Sequence, residues 1–315
     1  MARTAALGAA AGGALLWGTI GPVATVFTSA ELLPAGGARL AVGALALLAL
    51  GGRPFTRAWR RRDVGPLLAG AVGLAGFQLS YFAAVDAGGV AVSTAVAIGL
   101  APVLTGLWTA VVDRRLPSRW WLAGTALAAV GLCLLTVAGG EAVTLSPTGL
   151  ALSTVAAACF STQALAIRRL TDHHRGTTAL AALFTAAALL LLPVTLATAT
   201  PTLLSGRAAV SLLYLGIVAA GIAYWLFAHG IRHLGAPAAV TVSLLEPAGA
   251  AAIAAVVLHE PVGPAQWLGI ALVCGAIVLT ALSDFHPNAV PDHLDDDRHP
   301  AHSGSAVRRG RRGLS

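Results

Sequence analysis

Long apolar runs recur along the chain, and nothing else in the sequence constrains the fold as strongly. Ten segments, at roughly 5–27, 34–51, 64–84, 89–112, 119–138, 147–167, 178–199, 208–229, 237–258 and 264–282, are almost free of charge. A bilayer crossing needs about 20 apolar residues in a helix. The runs are too long and too continuously apolar for barrel strands, and only helices or closed barrels satisfy their backbone in lipid. The connections are short and polar, for example "VDRRLPSR" and "IRRLTDHHRG". Charged residues make up 10% of the chain, against about 25% in a soluble domain. The expected fold class is therefore an all-α integral membrane protein with ten transmembrane helices. The first apolar run is read as a span and not as a cleaved signal peptide, because it is long enough to cross and many more follow.

The basic residues set an expected orientation. There is no Lys, so Arg decides. With the N-terminus inside, the inner connections hold Arg53, Arg57, Arg60, Arg61, Arg62, Arg114, Arg115, Arg119, Arg168, Arg169, Arg175 and Arg232. The outer ones hold Glu31, Asp86, Glu141, Glu260 and the single Arg207. By the positive-inside rule both termini are expected in the cytoplasm of a cell inner (plasma) membrane protein. The net charge of +7 then has anionic lipid as its expected partner; nucleic acid is not one, since aromatics are too few for a stacking platform. After Asp284 the composition turns polar, and 284–315 reads as a disordered cytoplasmic tail. Its His286, His293, His299 and His302 with Asp295, Asp296 and Asp297 are read as solvated, not as a metal site. Cys133, Cys159 and Cys274 have no metal or disulfide spacing and are expected to be small buried hydrophobes. Trp120, Trp121 and Trp267 sit at span ends and are expected to form interfacial belts.

An internal repeat divides the chain. "GLAPVLTGLWTAVVDRRLPSRWWLAG" aligns without a gap on "LLEPAGAAAIAAVVLHEPVGPAQWLG", and the spacing from Pro102 to Gly124 equals that from Pro247 to Gly269. "YF" at Tyr81 and "YW" at Tyr224 precede the two copies. The expected organisation is a first five-helix repeat over 1–138 and a second over 139–283. An odd number of spans per half inverts the second in the membrane, as in many secondary transporters with a midplane site.

The repeat is broken at one informative place: Ala101 stands where the second half has Glu246. A carboxylate near the bilayer centre costs about 3 kcal/mol on insertion scales. Pro247 beside it removes a backbone donor and bends or breaks the helix; Pro102 is its counterpart. Glu246 either binds a proton or a cationic group of a substrate, or makes a structural hydrogen bond that holds the kink. Arg39, inside the second span, either snorkels outward or pairs with an acid. Gln78 and Tyr81 share one face of the third span, and Tyr224 stands in the matching place of the eighth; pathway lining competes with packing and anchoring. Trp17 beside Gly18, and Gln163 in the sixth span, complete the candidate substrate and proton site. Spans one, three, four, six, eight and nine are expected to line the cavity.

"LLWG" at Leu15–Gly18, Arg39, "GFQLSYFAAVDAGGVAVSTAVAIGLAPV" and "LLEPAGA…LHEPVGPAQWLG" resemble the EamA-type transporters of the drug/metabolite transporter superfamily, in an order and spacing that run to about residue 282. The family pattern has a Gly-Glu pair after the fourth span; here Arg114-Arg115 stands there, preceded by Asp113, while the second-half counterpart Glu260 is present. The resemblance implies ten spans, cytoplasmic termini and movement of small metabolites such as amino acids or amphiphilic drugs, often outward, without a cofactor. The rivals are an uptake permease of the same fold, a non-transporting membrane scaffold, and a membrane enzyme. The last needs several converging acids, His or Cys at midplane, and only Glu246 qualifies. A small-molecule substrate and a homodimer complete the expected partners.

Overall fold

The computed structural model describes residues 2–51, 59–114, 118–139, 146–257, 259 and 262–282, and among them it contains helices and no strand. Arg53, Arg57, Arg115, Glu141, Glu260 and the tail residues named above lie outside this set. Among the described residues nine helices are long and apolar enough to cross a membrane: α1 (Arg3–Ala24), α2 (Ser29–Ala49), α3 (Arg61–Gly88), α4 (Val90–Val112), α5 (Arg119–Ala138), α6 (Pro147–Thr171), α7 (Gly176–Thr198), α8 (Gly206–Leu234) and α9 (Ala236–Val256). A tenth apolar helix, α10 (Pro264–Leu282), completes the set. Each coincides with one of the ten runs. Large apolar side chains on the outer surface stay uncovered by protein, among them Leu45, Val111 and Leu196, as a lipid-facing surface requires.

Prolines and glycines decide the local departures. Pro247 has no N–H for the carbonyl four residues back, that of Ser243. The ninth span accordingly breaks there, into Ala236–Val242 and Leu245–Val257. At the join, Leu244 N donates to Thr241 O at 3.1 Å and Glu246 N to Ser243 O at 2.9 Å, the tighter three-residue pattern. Pro22 does the same to α1, which breaks at Thr19. The fourth span is assigned helix throughout, with Pro102 inside it. In α8, residues Leu215–Ile222 widen into a π-helical stretch.

Two glycines show the repeat in the backbone itself. Gly89 joins α3 to α4 at φ 79, ψ 160, and Gly235 joins α8 to α9 at φ 84, ψ 160. That region is open to glycine almost alone, so each connection is made by one residue.

Helix pairing repeats as well. Helix α1 packs on α8 and α3 on α6; α2 packs on α8 and α3 on α7; α4 packs on α6 and α1 on α9; α2 packs on α7 and α5 on α10. Exchange each helix for the one five later, and this pattern maps onto itself.

Two expectations need correction. Trp121 is not a belt residue: it is 3% exposed and fills the notch at Gly106, where a Cβ would lie 2.2 Å from its ring. Trp120 and Trp267 do face outward. Cys133 and Cys274 are exposed and Cys159 is half-buried, so none is a core residue; a thiol is apolar enough to face lipid.

Candidate functional site

A cavity of about 550 Å³ opens between the halves of α1–α4 that lie away from Ala2. Trp17 to Ala24 of α1 with Thr25 and Phe27 just beyond it, Leu32 to Arg39 of α2, Phe77 to Val85 of α3 and Val90 to Ile98 of α4 contribute to its walls, with Leu215 of α8 and Glu246, Pro247 and Ala250 of α9. A small annex of about 40 Å³ continues it inward, lined by Arg39 and Glu246 together with Trp17, Ile20, Phe77, Ile98, Phe160 and Tyr224. Residues far apart in sequence thus converge on one space. Helix α2 supplies a whole wall that was not expected, while α6 reaches only the annex, through Phe160.

The break in α9 positions Glu246 in the first turn of the second segment. Gly18 lets α1 approach closely there: a Cβ at Gly18 would lie 2.9 Å from both Glu246 O and Ala250 N. The corresponding contact in the other half joins α6 to α4, where Ser161 Oγ donates to Ala101 O at 2.9 Å. Ala101 is the repeat counterpart of Glu246, so the two halves meet in the same manner with a carboxylate at one junction only.

Arg39 does not snorkel away. Its Nη2 donates to Gln78 Oε1 at 3.3 Å. That leaves Gln78 Nε2 turned towards Gly36, where a Cβ would lie 2.8 Å from it. Arg39 Nε and Gln78 Nε2 are buried and have no hydrogen-bond partner among the described residues. Arg39 and Glu246 face the same annex, and their charges act on each other, yet among the described residues they form no ion pair. Tyr81 Oη and Thr94 Oγ1 share a hydrogen bond at 2.7 Å that ties α3 to α4. Tyr224 Oη makes a long bond of 3.5 Å to Gln163 Oε1, and Gln163 Nε2 is buried without a partner among the described residues.

Aromatic rings form the floor. Trp17 lies 4.9 Å from Tyr224, 5.1 Å from Phe227 and 6.1 Å from Phe160 between centroids, and Phe77 lies 5.7 Å from Phe160. Trp17 Nε1 donates to Ala219 O at 2.9 Å, inside the π-helical stretch. Beyond this floor, at the end that carries Arg3, a second cavity of about 540 Å³ is lined by Arg3, Asp113, Arg168, Arg169, Asp172, Arg232 and their neighbours. Arg169 pairs with Asp113 at 3.5 Å across the ends of α6 and α4, and Arg168 pairs with Asp172. No group of three or more His, Cys, Asp or Glu side chains that could hold a metal occurs among the described residues.

All seven candidate site residues therefore lie in or beside one space: Trp17, Arg39, Gln78, Tyr81 and Glu246 in the main cavity, Tyr224 in the annex and Gln163 bonded behind it. Ile98, Thr94 and Phe160 escaped the sequence reading. Helical spacing holds the signal: Ile98 and Thr94 are three and seven residues before Ala101, and Phe160 is three before Gln163. The α2 wall follows the same rule, with Gly36, Ala35 and Leu32 at three, four and seven residues before Arg39.

The model of the EamA-like transporter family matches residues 4–137 and again 147–282. A protein of Bacillus subtilis (strain 168), named as the uncharacterized transporter YwfM, is 34% identical over 292 residues, spanning 89% of this chain and 95% of its own. A solved crystal structure superposes with a TM-score of 0.76 at 21% identity, over 89% of this chain and 97% of the other; at that identity the likeness is one of fold.

Proposed function

The chain belongs to the EamA-like transporter family and is a multi-pass membrane transporter, and from that premise we propose that it carries small organic metabolites outward across the plasma membrane by alternating access. Amino acids and amphiphilic drugs are the candidate cargo. The halves are inverted, the termini are cytoplasmic, and Glu246 binds substrate or the coupling proton opposite Arg39. One observation carries the reading: among the described residues, one carboxylate and one guanidinium share a cavity that is open towards one end and floored by aromatics towards the other. An accessible site on one side with a closed path on the other is what one state of an alternating-access cycle looks like. With the arginine-rich end inside, this state faces outward. The opposite state widens the arginine-lined cavity, and the α4–α6 contact at Arg169–Asp113 is the part of the inner end that must separate.

The test is flux in proteoliposomes under an imposed pH gradient, wild type against Glu246→Gln, over amino acids and amphiphilic drugs. Gradient-driven flux in the wild type that is lost in the variant is the expected result. Equal flux in both would make Glu246 a structural partner of the kink. No flux of any solute would overturn the transport mechanism and favour the scaffold reading.

A further inference from the structure

Among the described residues that line the main cavity or its annex, Arg39 and Glu246 are the only charged ones. The titratable groups that face them are the hydroxyls of Tyr81 from α3 and Tyr224 from α8; α1, α4 and α6 present Trp17, Ile20, Ile98 and Phe160 to the annex. Both charged groups have unused hydrogen-bonding capacity. A guanidinium has five N–H donors, and Arg39 donates one bond, to Gln78, with Nε left over. Among the described residues no side chain or backbone group donates to the Glu246 carboxylate. The two groups do not satisfy each other, although they face the same small space.

A charge in a partly buried, apolar-walled space is costly unless an opposite charge meets it. That makes the net charge of the occupied site the quantity that decides what binds. A zwitterion sets its carboxylate against Arg39 and its ammonium against Glu246, and the site stays balanced. A monoanion satisfies Arg39 and adds a negative charge, so balance returns only when the Glu246 carboxylate takes up a proton. A cation satisfies Glu246 and leaves two positive charges against one negative.

We propose that Arg39 and Glu246 together act as a net-charge filter: the site accepts small apolar zwitterions, accepts monoanions only together with a proton on Glu246, and rejects monocations. The inference rests on the reading of this cavity as the substrate site, and it goes further by fixing the class of substrate and making Arg39 the residue that determines it. In this state of the site a monoanion is therefore held together with a proton, while a zwitterion is held without one.

Three ligands with one branched apolar skeleton test the filter: leucine, 4-methylpentanoate and 3-methylbutylamine. Binding to the full-length protein in detergent micelles is measured by calorimetry at neutral and mildly acidic pH, for the wild type, Arg39→Gln, Arg39→Lys and Glu246→Gln. The wild type should bind leucine at both pH values and the amine at least about tenfold more weakly. It should bind 4-methylpentanoate more tightly as the pH falls, since only the protonated carboxyl tolerates the anion. Arg39→Gln should reverse the order, favouring the amine and losing the acid. Arg39→Lys should keep the wild-type order, which separates loss of charge from loss of fold. In Glu246→Gln the acid should bind without pH dependence. Equal binding of leucine and the amine by the wild type, an unchanged order in Arg39→Gln, or binding of none of the three by folded protein would overturn the filter. Leucine flux in proteoliposomes is read separately. The expected order without flux removes the transport mechanism and keeps the filter; flux without the order removes the filter alone.

Discussion

Gly216→Ala places one methyl group where α8 meets α2, directly behind Arg39. A Cβ at Gly216 would lie 2.4 Å from both Cβ and Cγ1 of Val42 and 3.1 Å from Arg39 O. Ordinary carbon contacts are about 3.5–4.0 Å, so the shortfall is roughly 1 Å or more. The Val42 side chain cannot rotate away from it, because its Cβ is fixed by the α2 backbone. Overpacking of this kind costs about 1–3 kcal/mol, and the fixed neighbour argues for the upper end. Replacing a helical glycine by alanine returns up to about 1 kcal/mol, so the net loss is about 2 kcal/mol. At about 2–4 °C per kcal/mol for chains of this order, thermal unfolding in detergent should shift down by roughly 4–8 °C. Leucine binding should weaken too, because the displaced carbonyl is that of Arg39. The double variant Gly216→Ala with Val42→Gly should be less destabilised than the sum of the singles by about 1 kcal/mol or more, the signature of residues in contact. A Gly216→Ala protein as stable as wild type, or strictly additive singles, would refute the close approach of α2 and α8.

Asp63 accepts from Arg60 N at 2.8 Å as a capping residue and meets buried His174 at 3.1 Å, with Trp59 stacked on the imidazole at 4.3 Å. Asp63→Ala removes the cap and leaves a buried ring nitrogen without a partner. Together these cost about 2–4 kcal/mol, so a lowered unfolding temperature in detergent is expected, and an unchanged one would show that the pair is not structural. Topology is checked with Ser205→Cys and His173→Cys in a background where Cys133, Cys159 and Cys274 are Ser. An impermeant maleimide added to intact cells should label position 205 and spare 173; the reverse pattern would invert the orientation.

The spans were legible because a bilayer imposes a length, and the apolar runs come close to it or exceed it. The repeat was legible because Pro102 and Pro247 keep their spacing to the following glycines. The break in α1 also has a local signal in the sequence: Pro22 acts on Gly18 as Pro247 acts on Ser243. Glu31 is a second case. Charge alone places it in an outer connection. Its position three after Thr28 is a capping-box signal, and the structure has Glu31 accepting from Thr28 N at 2.9 Å and bonded to Thr200 and Thr202 of the α7–α8 connection. The π-helical stretch of α8 and the Asp63–His174 contact had no local signal, since both arise from packing between distant segments. Glu246 stood out because it breaks the repeat. That it shares an annex with Arg39 is a fact of tertiary geometry.

The pairing pattern has a consequence for how the chain is made. Helices α1, α2, α3 and α5 find their main partners in α8, α7, α6 and α10, so the early helices enter the membrane before those partners exist. At about 5–20 residues per second of synthesis, the first half waits roughly 7–30 s for the second to emerge. During that time the glycine- and alanine-rich faces of the early helices lie against lipid, and close packing between small residues, which holds membrane helices together, is still missing. The repeat boundary in the sequence is therefore not a seam in the folded molecule. A ribosome that stops at residue 138 leaves five helices without their counterparts, a substrate for membrane quality control and not half a transporter.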